Sequence, residues 1–259
     1  MASSFGNAQQ TGRLNFMSIG ARSDTIANQI SVVVPVFNEA ENLRRIIETL
    51  QAFGISAIVV VDGGSQDNSV DVARNSGALV VQTSLSRGRQ VGAGVVATQS
   101  DIIWVLHADS HFVANPVAEI LAACQKNGAG ALALKIDAVG LSYRLIELGV
   151  WLRNRLWHLP YGDQGCFFLR SVYDAAGGYP DIPIMEDVSF ALAAKRQGTP
   201  LRTIKSQIVT DARRWQRDGV WRRTMRNLWL LFRYVVLRHD AKLLALAYQP
   251  ESDNSLKCD

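Results

Sequence analysis

From Ile30 onward, short apolar runs alternate with segments whose apolar residues recur every three or four positions. Ile30 to Phe37 contains Val32-Val33-Val34, apolar on both faces as a buried parallel strand requires. Asn38 follows as the expected N-cap of a helix, with Glu41 three positions on completing a capping-box-like pair. Leu43, Ile46, Ile47 and Leu50 fall on one helical face, which Gly54 ends. The same unit then repeats. Strand Ala57 to Val61 turns through Asp62-Gly63-Gly64-Ser65 into a short helix carrying Val70 and Ala73. Strand Ala78 to Val81 leads through a Ser86-Arg87-Gly88-Arg89 loop into helix Gln90 to Thr98. Strand Ile102 to Leu106 ends at His107-Ala108-Asp109, Pro116 opens another helix, and Ala129 to Ile136 reads as a strand. Such alternation predicts an α/β fold with a mainly parallel central sheet and helices on both faces. Ligands of such sheets sit beyond the carboxyl ends of the strands, so Asn38, Asp62 and Asp109 should converge.

After about residue 140 the rhythm changes. A helix rich in Leu, Trp and Arg runs from Ser142 to about Leu156, and the loop Tyr161-Gly162-Asp163-Gln164-Gly165 precedes the apolar Cys166 to Leu169. Gly177-Gly178-Tyr179-Pro180 is a turn, Glu186 and Asp187 begin a helix ending near Gly198, and Leu201 to Val209 is a strand. The expected organisation is a mobile tail over residues 1–28, one domain over 29–215 with halves at about 29–112 and 113–215, and a helical segment over 216–259. In that last segment Trp221, Met225, Leu228, Trp229 and Phe232 share a helical face, with Arg222, Arg223, Arg226 and Arg233 interspersed. Such a stripe suits core packing, a homodimer contact or an anionic membrane surface.

Composition narrows the class. At 259 residues with 48% hydrophobic side chains the chain can fill a sizeable core. A net charge of +4 is too small to argue for nucleic acid and suits small anionic ligands. Cys124, Cys166 and Cys258 are far apart with no CxxC pair, which argues against a disulfide framework or zinc site and for a reducing, cytoplasmic compartment. No run of about 20 apolar residues signals a transmembrane helix, and a P-loop is excluded because no Gly-Lys-Ser or Gly-Lys-Thr is present.

As a set, several segments resemble the family 2 glycosyltransferases. Ser31 to Glu39 (Ser-Val-Val-Val-Pro35-Val-Phe-Asn38-Glu39) is similar to their opening strand, and Val60 to Asp67 to their second-strand motif. Arg87-Gly88-Arg89 resembles their third segment, His107-Ala-Asp109 their metal-binding Asp-x-Asp, and Gly178-Tyr with Glu186-Asp187 their acceptor-side motifs. The resemblance covers roughly residues 30 to 215. The His-Ala-Asp form and Arg213-Arg214-Trp215 resemble, within that family, a small soluble subgroup associated with arsenosugar biosynthesis.

The resemblance implies a Rossmann-like GT-A fold and inverting transfer of a sugar from a nucleotide-sugar donor, a UDP-sugar first, to an unidentified acceptor. It implies that Pro35, Asn38, Glu39, Asp62, Gly63 and Arg87 bind the nucleotide, and that Arg214 and Trp215 close over the donor. Asp109 is the implied ligand of a divalent cation, Mn²⁺ or Mg²⁺, and Asp187 the implied general base with Glu186 in reserve. Asp163 and Gln164 are candidates for the sugar or acceptor pocket. Bland alternatives stand beside these roles: Asp109, Asn38 and Glu39 as helix caps, Asp187 as a complement to a helix dipole, and Gly162 to Gly165 as a tight turn. One departure is His107 where the family has its first Asp. An imidazole there would tilt the site toward Mn²⁺. Two rivals remain. A sugar-1-phosphate nucleotidyltransferase would carry a glycine-rich loop after the first strand, which is missing here. A non-catalytic nucleotide-sugar or membrane-surface binding module draws its support from His107.

Overall fold

A computed structural model describes residues 29–248. The tail expected over residues 1–28 and Cys258 lie outside the described residues, and so does the side chain of Arg214. Strands β1 (Ile30–Val36), β2 (Ala57–Asp62), β3 (Leu79–Gln82) and β4 (Ile102–Val105) alternate with helices α1 (Ala40–Ala52), α2 (Ser69–Asn75) and α3 (Arg87–Ala97). The two-residue strand β5 (His111–Phe112), helix α4 (Val117–Asn127) and strand β6 (Ala129–Asp137) follow. Then come α5 (Leu141–Trp157), β7 (Phe167–Leu169), α6 (Arg170–Ala176), α7 (Glu186–Arg196) and β8 (Arg202–Asp211). The described part closes with α8 (Arg213–Asp218), α9 (Val220–Val235) and α10 (Ala241–Tyr248).

All eight strands share one sheet, in the order β3-β2-β1-β4-β7-β6-β8-β5. The first four are mutually parallel, and β6 runs parallel to β8. Strand β7 is antiparallel to both β4 and β6, and β5 antiparallel to β8, so the sheet is mixed where the sequence suggests mainly parallel pairing. The direction of β7 is set by the long connection from β6, residues 138–166. Helix α5 carries the chain across and the Gly162–Gln164 turn sends it back, without a second crossover.

Side chains of β1 divide between two cores, as the two-residue period of a strand demands. Val32 and Val34 pack with Leu43, Ile46 and Leu50 of α1 on one face, while Val33 packs with Val91 and Val95 of α3 on the other. Each fully buried aliphatic side chain contributes about 1.5–3 kcal/mol. Tyr179 stacks on Phe190 at 4.6 Å between ring centres, which fastens the Gly178-Tyr179 turn to α7 and gives that motif a packing role.

Three local expectations are corrected. Asn38 is not a helix cap: its backbone is left-handed at φ 55°, and its side chain accepts the Gln66 N–H at 2.8 Å. The free N–H groups at the start of α1 are met instead by Ser69 Oγ at the start of α2 on Glu39 and by Asp67 of the β2–α2 loop on Ala40. Arg87 and Gly88 belong to α3 rather than to a loop. Gly88 is there because a β-carbon would fall 1.9 Å from the Pro180 carbonyl oxygen. Finally, the apolar stripe of α9 is not core: Trp229 is 56% exposed, and Met225, Leu228 and Phe232 are exposed with it. Among the described residues no helix is long and apolar enough to cross a membrane.

Candidate active site

Beyond the carboxyl ends of β1 and β4, three adjoining hollows of about 360, 350 and 680 Å³ meet at His107, which lines all of them. The largest is walled by Pro35, Glu39, Arg87 and Asp109. A second holds Glu39, Asp109, Asp163 and Trp215, with Arg213 at the edge. The third holds Arg87, Asp163, Glu186 and Asp187. Residues from β1, the segment after β4, α3, α7, β8, α8 and α9 are therefore gathered around one histidine.

Each group is placed by its local fold. The turn after β4 is closed by the Ser110 N–H donating to the His107 carbonyl at 3.2 Å, which turns Asp109 toward the hollows. Arg87, first residue of α3, hydrogen-bonds the His107 ring and stands 3.8 Å from a Glu186 carboxylate oxygen. Met185 before α7 is left-handed, φ 65°, a backbone state that costs energy in a residue other than glycine. Such strain often marks functional sites, and here it immediately precedes Glu186 and Asp187. One Asp187 oxygen accepts the Gly162 N–H at 2.5 Å and the other the Val188 N–H at 2.7 Å, so the carboxylate is held in one orientation.

The electrostatics are unusual in two places. Burial, with Asp187 beside it and Arg87 opposing, pushes the Glu186 carboxyl up to about 7. Burial also raises Asp163 to about 6; Arg153 opposes the rise, while Asp187 and Asp109 add to it. Its Oδ1 is shielded from solvent and has no hydrogen-bond partner among the described residues. A shielded carboxylate oxygen in a hollow shared with Asp109 and His107 suits a cation or a hydroxyl donor. Among the described residues no three His, Cys, Asp or Glu side chains could cage a metal ion alone. Magnesium-type sites commonly need only one or two carboxylates, with substrate phosphates completing the shell. Asp109 fits that division of labour, and an imidazole at His107 suits a transition metal such as Mn²⁺ rather than Mg²⁺.

Other expected site residues line none of the three hollows. Asp62 is buried, and its carboxylate accepts the Gly64 and Ser65 N–H groups at 3.1 and 3.2 Å. Gly63 leaves room for Leu85 and Gln90; a β-carbon there would come within 2.9 Å of Leu85. Gln164 is not a pocket residue. It is wholly buried, its oxygen accepts from Arg153, Asn154 and the Tyr161 N–H, and its amide donates to the Leu132 carbonyl. Asn38 is committed to the β2–α2 loop. His111 of the short strand β5 pairs with Val209 of β8.

Sequence reasoning gave no site role to four contributors. Arg223 and Asn227 of α9 line two hollows, and Leu230 one. Their i, i+4, i+7 spacing opposite the exposed stripe was the available signal. Gln90 donates to the carbonyls of Val36 and Val61, both at 2.9 Å, and so ties the ends of β1 and β2 together beneath the cleft. No sequence pattern marks such a clamp.

A mixed sheet of this order with a carboxylate-lined cleft at its strand ends places the protein among the α/β folds that bind ligands at their strand ends. The profile of glycosyl transferase family 2 matches residues 31–176, more than half of the chain, and the protein belongs to that family. An uncharacterized glycosyltransferase of Mycobacterium bovis is 31% identical over 97 residues, 38% of this chain and 44% of that one. The chain thus spans less than half the length of that relative. Among solved structures, the mannosyltransferase PcManGT from Pyrobaculum calidifontis, in complex with GDP-Man and Mn²⁺, aligns with a TM-score of 0.63 at 16% identity over 90% of this chain and 76% of that one. Glucosyl-3-phosphoglycerate synthase from Mycobacterium tuberculosis, with Mn²⁺ and UDP-glucose, aligns with a TM-score of 0.52 at 17% identity over 77% and 75%. At these identities the structural likeness speaks for the fold.

Proposed function

We propose that the protein transfers a glycosyl group from a nucleoside diphosphate sugar, a UDP-sugar first, to an acceptor hydroxyl with inversion at the anomeric carbon. The observation that carries this reading is the convergence of Asp109, His107, Arg87 and Asp187 on one cleft. Arg87 offers a planar donor fork to the donor diphosphate. Asp109 and His107 would hold a divalent cation, Mn²⁺ or Mg²⁺, whose chemistry is to stabilise charge on phosphate oxygens. Trp215, with the Arg223 guanidinium 5.9 Å from its ring centre, walls the hollow that Asp109 opens into. Asp187, oriented by the Gly162 and Val188 amides, takes the proton from the acceptor hydroxyl as it attacks. The presence of nucleotide sugars and Mn²⁺ in structures sharing the fold supports the donor class.

The test is a thermal-shift screen of nucleoside diphosphates and nucleotide sugars with and without Mn²⁺ or Mg²⁺. Ligand at a hundred times its dissociation constant stabilises the native state by about 2.7 kcal/mol. A metal-dependent shift with a UDP-sugar, lost in Asp109→Ala, is the expected result. No shift with any nucleotide in folded protein would overturn the reading. Donor binding without turnover of any donor would favour a binding module.

A further inference from the structure

Helix α9 has two unlike sides. Arg223, Asn227 and Leu230 line the cleft, whereas Met225, Leu228, Trp229 and Phe232 are exposed. Helix α5 packs beside it, with Val150 and Val220 meeting in one small cluster. It too exposes an apolar set at helical spacing: Leu148, Trp151, Leu152 and Leu156, with Trp151 54% exposed. Two neighbouring helices exposing leucine and tryptophan is more apolar surface than a soluble monomer ordinarily leaves to water.

The charges on these helices are almost all of one sign. Helix α9 carries four arginines and no acidic residue; Arg223 and Arg226 are paired with Asp218 just ahead of it, while Arg222 faces solvent. On α5, Glu147 is the sole acid and is paired with Arg144 at 2.8 Å. Arg155 and Arg222 are exposed on the two helices. A two-fold contact between copies would set arginine against arginine. An anionic surface would instead neutralise them while taking up the apolar side chains. Long arginine stems can reach outward to head groups, and tryptophan rings suit the interfacial layer.

We propose that α5 and α9 together form a docking surface for an anionic lipid bilayer. The occupant follows from charge complementarity combined with the apolar face. Because α9 is also a wall of the cleft, docking sets the cleft beside the lipid head groups. The proposal rests on the preceding reading only for what the docking serves.

The test is flotation of the full chain with phosphatidylcholine vesicles, with and without phosphatidylglycerol, at low and high salt. Binding is expected to require phosphatidylglycerol and to weaken with salt. Trp229→Glu and Trp151→Glu should each weaken it at least about tenfold, and Arg155→Gln and Arg222→Gln about fivefold each. All four positions are solvent-facing, so each variant should keep the wild-type melting temperature and any donor-induced thermal shift. Vesicle binding without a donor shift would uphold the docking surface while the sugar-transfer reading fell. Failure of the wild-type chain to bind phosphatidylglycerol vesicles would overturn the proposal, whether a second copy or the chain's own terminal segments cover the face. So would binding that Trp229→Glu leaves unchanged.

Discussion

Glu186 and Asp187 are adjacent in sequence yet differently held. Asp187 has both oxygens engaged by backbone N–H groups, whereas Glu186 is buried beside Arg87 with its carboxyl raised to about 7. If Asp187 is the base, Asp187→Asn should lower turnover at least about a hundredfold while donor affinity is kept. Steady-state kinetics beside donor titration checks this, and unchanged turnover would remove the assignment. Glu186 also makes a stability prediction. Its folded-state carboxyl titrates near 7, against an ordinary value of 4.5, so the folded chain binds the extra proton between those limits. Stability is therefore lost as pH rises through that window. Glu186→Gln should match wild type below the window and melt higher above it, by about 2–4 °C for each kcal/mol relieved. Melting temperatures measured from about pH 4 to about pH 8, which brackets the window, decide it; a constant offset would show that Glu186 does not titrate there.

At the level of elements, the hydrophobic periods located β1, β2, α1 and α7 within a residue or two. A buried strand and an amphipathic helix each write their pattern locally. Residues lining the candidate cleft were legible where a charged residue comes shortly after a strand or opens a helix, as with Asp109, Glu186 and Asp187. It was not legible where a polar side chain serves long-range pairing. Gln164 read as a pocket residue because a Gly-Asp-Gln-Gly turn looks functional, but its amide satisfies the buried Arg153 and the Leu132 carbonyl. Arg153 also lies over the Tyr161 ring, 3.6 Å from its centre, so this hub fixes the loop that meets Asp187. Gln164→Leu should cost about 1–3 kcal/mol by leaving these groups unpaired. Urea denaturation measures that loss, and wild-type stability would show the hub to be dispensable. The antiparallel β7 was likewise unreadable, since strand direction is decided by the path of α5 and not by residues 167–169.

For the whole molecule, one sheet carries both cores, and β1 contributes alternate side chains to each. Neither face can lose its packing while the other stays intact, so unfolding should be a single transition. Far-UV circular dichroism and tryptophan emission should give coincident denaturation midpoints; separated midpoints would mean that the two faces melt independently. The position of β7 has a further consequence, one of timing. A ribosome delivers β1 to β4 complete, but the partner that covers the outer edge of β4 is made only after α5 has emerged. Ile102, Ile103 and Trp104 thus wait as an open strand edge during synthesis, in a half-sheet whose remaining pairings are already available. That interval is when the nascent chain is most exposed to pairing with a neighbour of its own kind, and when a chaperone holding one strand would do the most good.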